Sequence, residues 1–241
     1  MCRAALAGLL LLAAPPAADV QKWLQGVDTS RHAFDQAAIR ARASQIVDGK
    51  EESSAEFEIY VKGRDKALII FRDPKNNGRK VLTVGNRMWL IVPGTTNPVP
   101  ITPNQRLLGG ASFGDVAKLR FADDYTATAR DVTGDVGGRE CLILDLQAKD
   151  PAAPYPRVTL FLDTAEHLAR KLVFFLQSGK EAKEALITGY GSAAGHAIIT
   201  QMDIRERLGR ESRAVTRLEY LDYRQAKLDD AIFTPEGAKG L

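Results

Sequence analysis

Cysteine and histidine are scarce in this chain of 241 residues: two cysteines, Cys2 and Cys141, and three histidines, His32, His167 and His196. If Cys2 leaves with an N-terminal leader, the lone Cys141 cannot form an internal disulfide, so the fold must be held by its core. The histidines stand far apart, and no His-x-x-x-His or Cys-x-x-Cys spacing supports a zinc site. Also missing are a Gly-x-Ser-x-Gly elbow, a Walker-type loop and a dinucleotide fingerprint. The glycine-rich stretch 109–114 (GGASFG) lacks the lysine and the strand-to-helix setting that a phosphate loop needs. Asp123-Asp124 and Asp229-Asp230 suit turns and caps better than acid/base pairs, and Glu166-His167 reads as a solvated turn. Acids and bases are interspersed at a formal charge of +3, with no basic block interleaved with aromatics. Nucleic acid is therefore a poor partner. No catalytic residue, metal or cofactor is expected, which leaves a non-enzymatic protein.

What is present begins with an apolar leader. Arg3 precedes the apolar run 4–14, and Pro15, Pro16, Ala17 and Ala18 follow. The run is too short to span a bilayer and has the layout of a secretory signal peptide over residues 1–18. Residues 19–241 are expected to form one exported domain.

The stretch 19–27 (DVQKWLQGV) places Val20, Trp23, Leu24 and Val27 at helical spacing. From Ala38 the period becomes two. Ile39, Ala41 and Ala43 alternate with Arg40 and Arg42, and Phe57, Ile59 and Val61 alternate with Glu56, Glu58 and Tyr60. Tight-turn signals, including Asn77-Gly78, join further apolar runs at 67–71, 81–84 and 88–92. Beyond residue 123 the meander resumes through 141–147, 158–162, 172–176, 185–190, 198–204 and 214–223. Roughly ten to twelve strands without helix alternation indicate a mainly β sandwich or barrel with sequential neighbours paired.

One stretch departs from this pattern. Residues 85–120 begin as the strand Met88 to Val92, pass through a Pro/Gly/Thr/Asn connection, and become a small-residue segment at 106–119 that reads as a short helix. Such a helix is too glycine-rich to stand alone and must pack on a sheet. ALIIF, MWLIV, TLFL and LVFFL are apolar at successive positions, so both faces of those strands need cover. An ordinary two-layer core supplies that, and is what apolar runs usually mean; a curved sheet capped by helices supplies it too.

The order of Val47-Asp48-Gly49, the strand 57–61, residues 65–71, Met88-Trp89-Leu90-Ile91-Val92-Pro93, Ile101 and Gly110-Ala111-Ser112-Phe113-Gly114-Asp115 resembles the LolA-like family of outer-membrane lipoprotein-sorting proteins, over about 38–235. In that family a strand like L-W-L-Y-x-P precedes a short crossing strand and a segment like G-S-D-F-S-Y-E-D-L; here Ile91 replaces the aromatic and Gly114-Asp115 the Ser-Tyr pair. The resemblance implies a strongly curved, unclosed antiparallel β-barrel built as a meander, with short helices across its concave face. It further implies a carrier that shelters acyl chains of a lipoprotein or free lipid during transfer to the outer membrane, between an inner-membrane transporter and an outer-membrane acceptor. The alternative is a sensory or scaffold domain of the same fold that binds a protein partner. For the carrier, the expected lipid-contacting residues are Phe57, Ile59, Leu68, Ile70, Leu82, Trp89 and Ile91 from the strands, Leu107 and Phe113 from the cover, and Leu160 and Phe174 from later strands. A one-residue slip would turn any of these strands over.

Overall fold

The computed structural model describes residues 16–208 and 213–241. Apart from Pro16, Ala17 and Ala18, the expected leader lies outside the described residues, as does Cys2. The amphipathic N-terminal stretch forms helix α1 (Ala17–Arg31), with Val20, Leu24 and Val27 buried along one stripe.

The strands follow in two meanders. The first comprises β1 (Gln36–Val47), β2 (Lys50–Lys62), β3 (Lys66–Phe71), β4 (Lys80–Val84), β5 (Arg87–Ile91) and β6 (Val99–Ile101). The second comprises β9 (Tyr125–Val136), β10 (Arg139–Ala148), β11 (Arg157–Asp163), β12 (Ala169–Phe175), β13 (Glu181–Ala193), β14 (His196–Glu206) and β15 (Ala214–Gln225). All thirteen join in one antiparallel sheet, ordered β6-β5-β4-β3-β2-β1-β15-β14-β13-β12-β11-β10-β9, which does not close. Strand β1 pairs with β2 on one side and β15 on the other. Turn chemistry sets the hairpins: Asp48 and Gly49, at φ 48° and 78°, join β1 to β2 in the doubly left-handed geometry that suits a two-residue turn.

This order has a topological consequence. The chain leaves one edge of the sheet after β6 and re-enters at the opposite edge with β9, so the residues between must cross the whole sheet. They do so as a two-stranded hairpin, β7 (Arg106–Leu108) and β8 (Ala111–Ser112), followed by helices α2 (Phe113–Ala117) and α3 (Phe121–Asp124). The single helix expected over 106–119 is thus corrected. Gly109 and Gly110 disfavour helix and turn a hairpin instead, with Gly109 at φ 50°. Helix α2 starts only where Ser112 caps it: the Ser112 Oγ accepts the Asp115 amide, and the Ser112 amide donates to Asp115 Oδ2 at 2.8 Å.

The sheet curls because its strands are broken by bulges, at Arg40/Ala41 and Gln45/Ile46 in β1 and at Leu142/Leu144, Phe161/Leu162 and Ile187/Gly189 in the far wing. At Gly189 an added Cβ would stand 2.7 Å from Thr200 Oγ1, so a side chain there would force Thr200 to move.

For β3 to β5 the doubly apolar strands are explained without a second sheet. One face packs under α1, α2 and α3. On the other face Leu68, Ile70, Leu82 and Ile91 are buried by the C-terminal segment, a 3-10 turn (Asp230–Phe233) and helix α4 (Pro235–Lys239), which contribute Phe233 and Ala238. The two-layer core that the apolar runs favoured on their own is replaced by one curved sheet lined on both sides over β3 to β5.

Candidate functional site: the concave face and its cover

One continuous apolar cluster spans both wings. From the first meander it takes Ile39, Phe57, Ile59, Ile69, Phe71 and Val81, and from the second Leu144, Leu146, Val158, Leu160, Leu172 and Phe174. Residues at alternate positions of each strand point the same way, so this set is the concave surface. The helices close on it with Val20, Leu24 and Val27 from α1, Phe113 and Val116 from α2, and Leu119 and Phe121 at α3. Phe113 meets Phe71 edge to face, with ring centroids 6.3 Å apart, and Phe71 in turn touches Phe57 at 5.8 Å.

The space between sheet and cover is nearly filled. A cavity of about 10 Å³ remains, bounded by Arg31, His32, Ile39, Ile59, Val116 and Tyr220 among others. That is about the least that holds one water. At one mouth of the half-barrel a wider cleft of about 420 Å³ lies between the end of α1, the β2–β3 turn and α3, bordered by His32, Arg64, Arg120, Asp123 and His196. His32 borders both spaces.

The cover is tied down by polar contacts rather than by a ladder of backbone bonds. Lys183 of β13 donates to Asp115 Oδ2 at 2.8 Å and to the Gly110 carbonyl at 2.9 Å. The Tyr155 hydroxyl donates to Asp115 Oδ1 at 2.7 Å, and Arg31 Nη2 donates to the Asp115 carbonyl at 2.7 Å. Asp28 of α1 accepts the Phe121 and Ala122 amides at 2.8 and 2.9 Å, which caps α3. Burial raises the Asp28 carboxyl above its ordinary range against those amides. Burial first, and then the Asp115 charge, raise the Tyr155 phenol. The His32 imidazole is pushed down to about 3 by burial and by the neighbouring Arg31 charge, and is therefore neutral at neutral pH.

The residues expected from sequence divide between the two faces. Phe57, Ile59, Phe113, Leu160 and Phe174 are brought together in the concave cluster, and Leu107 packs against it half-buried from β7. Leu68, Ile70, Leu82 and Ile91, with Trp89 packed beside them, lie on the opposite face beneath the C-terminal segment. The register decides this: Ile59 pairs with Ile69, and Leu68 with Leu82 and then Trp89, so in β3 it is Ile69 and Phe71 that share the face of Phe57 and Ile59. The polar anchors had no expected role. Ser112 and Asp115 carried a legible signal, the capping-box spacing; Lys183, Tyr155 and Arg31 carried none, because sequence does not place them near residue 115.

Among solved structures, a LolA superfamily protein from Nitrosomonas europaea superposes with a TM-score of 0.81 at 22% identity, covering 90% of this chain and 97% of its own. A DUF1329 family protein from Desulfovibrio piger gives 0.77 at 21% identity over 92% and 98% of the two chains. An outer membrane lipoprotein-sorting protein domain from Vibrio parahaemolyticus gives 0.75 at 16% identity over 93% and 100%. The protein is a LolA-like half-barrel: an unclosed antiparallel sheet whose apolar concave face is roofed by short helices. No curated protein matches the sequence. A family model described as an uncharacterized protein matches residues 63–237, and the chain belongs to that family.

Proposed function

We propose that this protein is a non-enzymatic periplasmic carrier that shelters acyl chains of a lipoprotein or free lipid on their way to the outer membrane. One observation carries the reading: an apolar surface continuous across both wings of the sheet is closed by α1 together with two short helices, α2 and α3, and these two are held by side-chain contacts. Lifting them exposes a trough that an acyl chain can occupy in place of Phe113, Val116 and Leu119. The benefit is large. At about 0.8 kcal/mol per methylene, a sixteen-carbon chain exposed to water costs on the order of 10 kcal/mol.

The fold is shared with a protein domain named for outer-membrane lipoprotein sorting. Residues 1–18 act as the export signal, and the cargo passes from an inner-membrane transporter to an outer-membrane acceptor. No helix among the described residues is long and apolar enough to cross a membrane. The test is mass spectrometry of protein purified from periplasm without detergent. A chain beginning near Asp19 and carrying a lipid mass removable by organic solvent is expected. Bare protein that also fails to take up a fluorescent fatty acid overturns the carrier reading.

A further inference from the structure

Arg31 ends α1 and faces inward. Only 8% of the residue is exposed, yet among the described residues its one side-chain hydrogen bond is to a neutral group, the Asp115 carbonyl, and its Nε has no partner. Among the described residues no carboxylate forms an ion pair with it. Asp28, one turn earlier, feels its charge, but both Asp28 oxygens are taken by the α3 amides. A buried guanidinium without a counter-charge is costly, and buried charges are as a rule paired.

Next to it His32 has a buried Nδ1 that is also without a partner among the described residues. The imidazole is neutral, because burial and the Arg31 charge both disfavour its protonation. Both side chains border the small internal cavity, with Tyr220 and Tyr223 on the sheet side. His32 also borders the polar mouth cleft. A buried cation, Arg31, thus sits where the apolar concave face meets a mouth lined by Asp28, Asp35 and Asp123 as well as by Arg64 and Arg120.

We infer that Arg31 and His32 form the head-group site of the trough, and that its preferred cargo is a single-chain lipid with a compact anionic head, a carboxylate or a phosphate monoester. The inference rests on the carrier reading and names the substrate class for it. The head enters from the mouth and accepts hydrogen bonds from the Arg31 guanidinium. Its tail runs along the concave face past Ile39 and Ile59 as α2 is displaced. Charge-assisted bonds to a guanidinium are about twice as strong as neutral ones, and a desolvated site enlarges the difference. An uncharged head leaves the cation buried and unpaired.

The test displaces a fluorescent acyl probe from the full chain at neutral pH with hexadecanoate, hexadecyl phosphate and hexadecanol, three ligands of one tail length. At least one anion is expected to bind about ten- to a hundredfold more tightly than the alcohol, and the stronger of the two identifies the head. In Arg31→Gln the anion-to-alcohol ratio falls to within about threefold, whereas Arg31→Lys keeps most of it. If all three ligands bind the wild-type chain equally, the trough takes acyl chains without reading their heads and the head-group site is overturned while the carrier reading stands. If none binds, the carrier reading falls with it. The wild-type comparison decides the matter even if the variants fail to fold, and an undiminished ratio in a folded Arg31→Gln overturns the assignment to Arg31.

Discussion

Lys183 Nζ lies 2.8 Å from Asp115 Oδ2, joining the crossing segment to a strand of the far wing across 68 positions of sequence. Both side chains are almost wholly buried, at 10% and 3% exposure. Their removal from water is offset by further hydrogen bonds, from the Tyr155 hydroxyl and the Ser112 amide to Asp115 and from Lys183 to the Gly110 carbonyl. The pair holds α2 against the sheet, so it is where the stability of the whole fold and the opening of the trough meet.

Removing one partner strands the other. Lys183→Ala is expected to lower unfolding free energy by roughly 3–5 kcal/mol, the usual consequence of leaving a buried charge alone. The double variant Lys183→Met with Asp115→Leu is expected to recover part of that loss. Urea midpoints at constant m-value check both, and a loss under about 1 kcal/mol in the single variant sinks the assignment.

The two faces of the sheet separate binding from packing. Phe113→Asp puts a charge under the roof of the trough and is expected to reduce acyl-probe uptake by the folded protein about tenfold or more. Trp89→Asp lies on the other face, beside the C-terminal segment. It is expected to lower thermal stability while the folded fraction binds as before. Equal losses of binding in both variants would mean that the trough is not where the probe goes.

His32 makes stability depend on pH. Its folded pKa of about 3 lies below the ordinary value of 6.5, so below pH 6.5 the unfolded chain binds a proton that the folded chain excludes. Stability contributed by this group is fully present above 6.5 and is lost as pH falls toward 3, at a limiting slope of about 1.4 kcal/mol per pH unit. His32→Gln is expected to flatten the stability profile between pH 6 and 4 by about one proton's worth of slope. Unchanged slope there would place the imidazole in water.

The C-terminal segment is locked by shape. A Cβ at Gly237 would overlap the Ala231 carbonyl oxygen, and that backbone cannot move without lifting the 3-10 turn that seats Phe233. Gly237→Ala is expected to loosen residues 228–241, seen as faster amide exchange and earlier proteolysis there. Protection in β9 to β14 should be unaffected, and uniform loss across the chain would contradict a separable strap.

Much of the half-barrel is legible in the residues. Period-two alternation marks β1 and β2, turn pairs such as Asn77-Gly78 mark hairpins, and Val20, Trp23, Leu24 and Val27 mark α1, because these signals are local. The stretch 85–120 also stood out correctly as irregular. Its interior reads as one helix but folds as a hairpin and a short helix, because Gly109-Gly110 inside a small-residue segment does not say whether the chain coils or turns back. In ALIIF every position is apolar, so pattern alone could not choose between Leu68 and Ile69 as the inward residue. That choice came from pairing with Ile59 across the β2–β3 hairpin.

The amino-acid sequence by itself determined a mainly β chain with sequential hairpins, one irregular crossing segment, and apolar residues enough to cover both faces of its middle strands, since each of these follows from local spacing and composition. Only the tertiary structure decided that β1 pairs with β15, which sends the crossing segment over the concave face. It also decided that Phe113 roofs that face while Trp89 lies outside it, and that Arg31, Asp115, Tyr155 and Lys183 converge. Those contacts join residues far apart in the chain, and no local pattern encodes the distance between them.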